Sequence, residues 1–465
     1  MPQPVFLWTD VLIYVLIIGV VAFAFYARRH EHLRVPWRQV RRRPLAMGAL
    51  VVLLGYVSIG LLDSFHGHRR LDAASGQVRY SPEVESVLDV LCTRLRERTE
   101  KSYSAPFATH AFTKEVVQQP DGRVSLVYPR LKYGGAHLRD PAERGLDIAR
   151  RVVLGLLAAA AIWAALVTGV TLWVTRDHHE SITAALADLL RGATDAPWRT
   201  VLATAGAVIA LGCVTVTLAG HYHVLGTDQV GQDVLYKSLK SVRTGLVIGT
   251  LTTLVMLPFA LVLGVMAGYF RGWVDDLIQY TYTTLSSIPS VLLIAAAILS
   301  LQVYIATHEE AFATLAERAD LRLLFLCLIL GVTSWTSLCR LLRGETLKLR
   351  EVDYVQAATA LGVGHAQIMS RHIMPNVMHI VLITVVLDFS GLVLTEAVLS
   401  YVGVGVDPNM NSWGNMINGA RLEMAREPIV WWSLAAAFAF MFGLVLAANL
   451  FADAVRDAFD PRLRK

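Results

Sequence analysis

The sequence predicts an all-α polytopic membrane protein, and three observations carry that prediction. Of its 465 residues 55% are hydrophobic and only 17% charged, too apolar for a soluble domain of ordinary composition. Apolar runs recur near 10–27, 45–62, 151–174, 200–220, 245–268, 276–301, 322–341, 377–403 and 429–452, each about long enough to cross roughly 30 Å of hydrocarbon as a helix. Positive charge gathers in short intervals between runs. Arg28, Arg29, Arg34, Arg38, Arg41, Arg42 and Arg43 crowd the first of these, which places it in the cytoplasm.

Counting helices from that anchor puts the N-terminus and 63–150 outside, and 175–199, 269–275, 342–376 and the tail inside. Arg343, Lys348, Arg350 and Arg371, with Arg456, Arg462, Arg464 and Lys465 in the tail, agree. So do Glu309, Glu310, Glu317 and Asp320 outside; Lys237, Lys240 and Arg243 do not. The formal charge of +5 is therefore a topological signal and membrane lipid its partner, with no nucleic acid implied. The first run leads into arginines rather than a cleavage site, so it reads as a retained helix. Cys213, Cys327 and Cys339 lie in or at apolar runs and Cys92 stands apart, which excludes a disulfide framework or zinc spacing.

Segment 63–150 reads as a small α+β insertion. Ser81 and Pro82 fit a helix start followed by the stripe Val84, Val87, Leu88, Leu91 and Leu95. Pro120-Asp121-Gly122 divides Glu115-Val116-Val117 from Arg123-Val124-Ser125-Leu126-Val127, a hairpin pattern. It could touch a partner or shield the mouth of a pore, but nothing in it carries chemistry, so a structural cap is the expectation; His66 and His68 have no further metal ligand nearby. Segment 175–199 is expected to hold an amphipathic helix along the cytoplasmic face.

The interval 342–376 interrupts the apolar pattern with a short amphipathic helix, Tyr354, Ala357, Ala358 and Leu361 standing at i, i+3, i+4 and i+7. Gly362 and Gly364 end it. A turn with Ile368, Met369 and His372 on one side follows, and Pro375 opens the next run at a favoured first-turn position. So short a helix is marginal alone, and its small residues suit a close-fitting groove on a partner.

This stretch resembles the EAA loop of permease subunits in binding-protein-dependent ABC importers, through Tyr354-Val355-Gln356-Ala357-Ala358, Leu361-Gly362, Arg371-His372-Ile373 and Pro375-Asn376. Gln356 stands where that family usually has Glu, keeping length and hydrogen-bonding reach without the charge. From His221 onward the chain resembles the dipeptide, oligopeptide and nickel branch, DppC- and OppC-like. An extracytoplasmic signature is legible in Gly226, Thr227, Asp228, Gly231 and Asp233, with Val224 and Gln232 departing from the usual Pro and Arg. Ala267–Asp275, Ser334-Trp335-Thr336, Arg340, Arg343-Gly344, Glu396-Ala397, Leu399–Gly405, Ser412–Met416 and Asp460–Arg464 continue the match.

The resemblance implies a six-helix type I importer core over 200–465, preceded by a helix pair in 1–62, the insertion in 63–150, and a third extra helix with the amphipathic segment in 151–199. It further implies coupling of 342–376 to cytoplasmic ATPase subunits, a second homologous permease, an extracytoplasmic substrate-binding protein, and a bacterial inner membrane location. ATP and Mg would sit on two ABC ATPase partners. This chain has no G-x-x-x-x-G-K-[ST] loop and no catalytic constellation, so neither cofactor nor metal is expected on it. Ala357, Ala358 and Gly362 would pack at the coupling joint, with Arg343 and Arg371 as polar contacts.

Peptides are the first substrate class, with nickel and other small solutes open. An ion-gradient secondary transporter is the rival of another class; the internal repeat and broken helices it predicts are not seen in the sequence. Asp388 and Glu396 interrupt an apolar run, where charge is costly. They read as lining a hydrated path or as holding helices together.

Overall fold

A computed structural model describes residues 3–71, 79–118, 124–178, 196–308 and 314–459, together with 188, 189 and 192. The Pro120–Gly122 turn, most of the expected amphipathic helix in 175–199, Glu309, Glu310 and the motif at 460–464 lie outside them. Among the described residues nine helices are long and apolar enough to span a membrane, and each contains most of one predicted run except near 276–301. There Ile288 is extended ahead of Pro289, the conformation a following proline favours. One expected span is thus two helices, Gly272–Ser287 and Ser290–Thr307, and only the second has spanning length and apolarity.

In chain order the helices are α1 (Trp8–Arg29), α2 (Glu31–Arg42), α3 (Pro44–Ser64), α4 (Val87–Leu91), α5 (Thr93–Glu97), α6 (Arg144–His178) and α7 (Trp198–Ala219). The remainder are α8 (Val234–Phe270), α9 (Gly272–Ser287), α10 (Ser290–Thr307), α11 (Leu315–Arg350), α12 (Asp353–Ala360), α13 (His365–Ile368), α14 (Met374–Tyr401), α15 (Trp413–Arg421) and α16 (Trp432–Phe459). Chain contacts divide these into two units.

The first unit comprises 1–5, 38–244 and 411–451. Its α6 and α7 approach closely because glycines admit large neighbours: a Cβ on Gly206 would stand 2.7 Å from Trp163 Nε1, whose indole N–H donates to Leu202 O at 2.8 Å. Strands β1 (Gln3–Val5), β2 (His66–Leu71) and β3 (Arg79–Ser86) form one antiparallel sheet, with Val5 opposite His66 and His66 opposite Ser86. Strands β4 (Glu115–Gln118) and β5 (Val124–Val127) form the expected hairpin, Val116 facing Leu126.

The expected helix start at Ser81 is corrected. Residues 81–86 extend β3, and Ser86 is the true N-cap, exchanging hydrogen bonds with Asp89 in a capping box. Pairing with β2 outweighed the Ser-Pro signal, and Val84 belongs to a strand.

The second unit comprises 6–37, 245–410 and 452 onward. Asp320 at the start of α11 accepts the Thr9 backbone N–H at 3.1 Å and also its hydroxyl, fixing the first turn of α1. Gly264 and Gly268 of α8 meet α11, where a Cβ would lie 2.9 Å from Cys339 O and 2.6 Å from Thr346 Cβ; small residues four apart on one helix face permit such close packing. Gly249 meets the Phe389 ring of α14 in the same way. A buried apolar cluster built on Met256, Trp335, Leu342, Ile368 and Ile373 runs from α8 and α11 under α12 and α13.

Candidate functional site

In the first unit the chemistry-bearing residues converge on the turn that leads into α8. Gly226 and Gly231 take positive φ, +73° and +75°, and a Cβ on either would collide with residues of the insertion, 2.5 Å from Ser104 O and 1.9 Å from Glu100 O. Glycine is what lets the two backbones touch. Backbone bonds then join them: Glu100 N to Gly231 O at 2.9 Å, Thr227 N to Ser104 O at 3.0 Å and Phe107 N to His223 O at 3.0 Å. The buried Thr227 hydroxyl stands 2.7 Å from Ser104 N, which donates to it, and itself donates to Ser102 O at 2.8 Å. Trp432 Nε1 donates to Thr227 O at 2.9 Å.

Beneath this joint His223 lies between two carboxylates. Its Nδ1 is 2.7 Å from Asp233 and its Nε2 is 3.4 Å from Glu100, all three residues being nearly sealed from solvent. The other Asp233 oxygen caps α8, accepting from Leu235 N at 2.8 Å and Tyr236 N at 3.3 Å. Glu100 accepts the backbone N–H groups of Lys132, Tyr133 and Gly134 at 2.9, 2.8 and 3.1 Å. Burial opposes charge on His223, but Asp233 and Glu100 outweigh it and raise its pKa to about 9. Burial likewise opposes charge on Glu100, yet His223 and the three backbone donors lower its pKa to about 2. The clamp is therefore ionised at neutral pH.

Sequence reasoning found Asp233 and the turn but missed Glu100, which no local pattern marks and only the fold brings to His223. Two of the three residues that depart from the charge rule are paired: Lys237 with Asp228, and Lys240 with Asp63 at 2.6 Å and Asp89 at 3.0 Å.

In the second unit the interval 342–376 folds as α12, α13 and a π turn, Met369–Ile373, which no sequence signal marks. Gly362, at φ +76°, closes α12 with Gly362 N to Thr359 O and Val363 N to Ala358 O, the paired bonds of a Schellman end. The expected stripe divides. Val355 and Ala358 are buried in the cluster beneath, whereas Tyr354, Ala357 and Leu361 point outward, Leu361 being 83% exposed.

Several bonds brace this interval. Tyr269 Oη is 2.8 Å from His365 Nδ1, Arg350 donates to Tyr269 O at 2.8 Å, and Gln356 donates its amide to Glu351 O at 3.2 Å. Asn376 donates to Tyr354 Oη at 3.0 Å and to His372 O at 2.6 Å, closing the turn ahead of Pro375. Arg371 is exposed. Arg343 is bound internally, both of its contacts going to Asp275 at 2.6 and 2.7 Å, and this hydrogen-bonded pairing lowers the Asp275 pKa.

Asp388 and Glu396 are separated by their surroundings. Glu396 is buried and accepts the Ser400 hydroxyl at 2.7 Å. Asp388 is half-buried, and no hydrogen bond or ion pair holds its carboxylate among the described residues.

The described residues hold no group of three or more His, Cys, Asp or Glu arranged for a metal. Nine helices of spanning length and apolarity among the described residues describe a multi-pass membrane protein. Residues 260–465 match the binding-protein-dependent transport system inner membrane component family. The chain is 32% identical over 244 residues to the glutathione transport system permease protein GsiD of Pectobacterium atrosepticum, covering 52% of this chain and 73% of that one. It is 30% identical over 245 residues to the oligopeptide transport system permease protein OppC of Mycobacterium bovis, covering 53% and 78%. To OppC of Haemophilus influenzae it is 31% identical over 243 residues, covering 52% and 71%. The protein belongs to the binding-protein-dependent transport system inner membrane component family, in the DppC- and OppC-like branch.

Proposed function

We propose that this chain is the permease subunit of an ATP-driven importer for peptides, glutathione-like peptides included, and that 342–376 is its joint to a cytoplasmic ATPase. The observation that carries the reading is α12 itself: its inner face is committed to the chain's own core, while Tyr354, Ala357 and Leu361 form an outward patch with no cover among the described residues. An exposed leucine on a rigidly braced helix is what a groove on a partner would receive. In this reading Gln356, Gly362, Arg371, His372 and Pro375 belong to the same joint, and Asn376 holds Tyr354 through its hydroxyl at 3.0 Å. Relatives named as oligopeptide and glutathione permeases support the substrate class.

In this reading a second permease completes the pathway, a binding protein delivers the solute outside, and ATP with Mg acts on the partner ATPases. ATP-driven closure of those ATPases moves α12, and the spanning helices alternate between inward and outward opening. The test is purification of the tagged native chain in mild detergent beside Leu361→Asp. An ATPase and a second permease accompany the native chain, and the variant loses the ATPase at least about tenfold, equivalent to ~1.4 kcal/mol, while keeping the second permease. Equal ATPase recovery by both chains would move the joint elsewhere; none with either would remove the motor.

A further inference from the structure

We infer that one face of α14 lines a water-filled path through the membrane and that Asp388 on it attracts a cationic group of the transported solute, which rests on the transport role proposed above. Thr384, Asp388, Gly391 and Thr395 are four, three and four residues apart, so at 3.6 residues per turn they share a sector of about 60°. None of them is buried. Between residues 384 and 398 the adjoining exposed sector is aliphatic, with Leu387, Leu394 and Val398, as contact with lipid or an apolar partner requires. The far side carries Ser390, Val393, Ala397 and Ser400, all buried.

The packing of the other sides orients these faces. Phe389 sits against Gly249 where a Cβ would be only 2.4 Å from the ring, and Glu396 is only 1% exposed on the packed side. The polar sector is therefore fixed outward, and its carboxylate has no partner among the described residues. A charge at such depth is kept only where water or an opposite charge reaches it. Gly391 leaves open space beside it, with nothing within 4 Å of a Cβ, so a solute can approach the carboxylate. An amino terminus or a Lys or Arg side chain of a peptide has the complementary charge.

The test uses the assembled importer in proteoliposomes. Thr384→Cys, Asp388→Cys and Thr395→Cys are treated with a charged, membrane-impermeant methanethiosulfonate beside Leu387→Cys and Leu394→Cys, the native chain setting the background from its own thiols. The inference expects labelling of the first three and not of the last two; labelling of none, or of all five, overturns the hydrated face. Uptake of Ala-Lys-Ala and Ala-Ala-Ala is then compared in native, Asp388→Asn and Asp388→Glu chains. The Lys-over-neutral preference falls about tenfold in Asp388→Asn, matching loss of one charge-assisted contact, and returns in Asp388→Glu. An unchanged preference, or equal loss of both peptides with labelling intact, overturns the cation assignment. If the native importer moves neither tripeptide, the peptide-transport reading and the cation assignment fall together, while labelling still decides the face.

Discussion

Two motif-rich regions of this chain treat their polar residues in opposite ways. Around Gly226–Asp233 nearly every signature side chain is consumed internally: Thr227 by Ser102 and Ser104, Asp228 by Lys237, and Asp233 by His223 and the first turn of α8. In α12 the inner face is packed but Tyr354, Ala357 and Leu361 remain outward. Similarity of motif therefore does not distinguish a brace from a contact surface. Burial and hydrogen-bond satisfaction do.

The comparison breaks first at the clamp. Glu100→Ala should cost ~3–5 kcal/mol, because it takes one of two carboxylates from a buried His223 charge and leaves three backbone donors without their acceptor, and a large fall in the thermal midpoint of the detergent-solubilised protein is the readout. A midpoint within a degree of native would mean that the joint rests on backbone contacts alone. Ala358→Asp comes next, a charge forced into the cluster under α12 at ~2–3 kcal/mol, whereas Leu361→Asp should leave the midpoint unchanged. Equal effects of the two would erase the distinction between inner and outer faces.

The clamp also makes stability depend on pH. A raised His223 pKa gives stabilisation that is complete below its unfolded value near 6.5 and is lost as pH climbs through about 9. A depressed Glu100 pKa acts at the other end, complete above about 4.5 and lost as pH falls toward about 2. The native midpoint should hold level from about pH 5 to 6.5 and decline from there to pH 9, and His223→Gln should flatten the upper decline. Smallest is Gln356→Glu, at ~0.5 kcal/mol or less, since the side chain is exposed beside Glu351.

What the sequence revealed follows from the range of the forces involved. Membrane spans are local, so all nine runs were legible, while the division near 276–301, at Ile288-Pro289, was not, because Pro258 lies within an unbroken helix and a proline alone does not mark a break. The α12 helix and its glycine end were likewise written in consecutive residues. Its orientation was not, because Val355 rather than Ala357 supplies the buried side once α8 and α11 are packed beneath it. Glu100 and Lys240 became intelligible only through partners distant in the chain, Glu100 with His223 and Lys240 with Asp63 and Asp89. Ser81-Pro82 misled because strand pairing is a non-local reward that no helix-start signal can weigh.

The contact of Gly231 with Glu100 has a bearing on any attempt to shorten this protein to the stretch its relatives share. Removing 63–150 would not merely take away a lid. It would uncover a glycine pair shaped to another backbone, leave Thr227 without two of its partners and expose an ion pair that had three members. A minimal version would need new side chains at Gly226, Thr227, His223 and Gly231 together. The insertion has become a structural prosthesis that its host can no longer set aside.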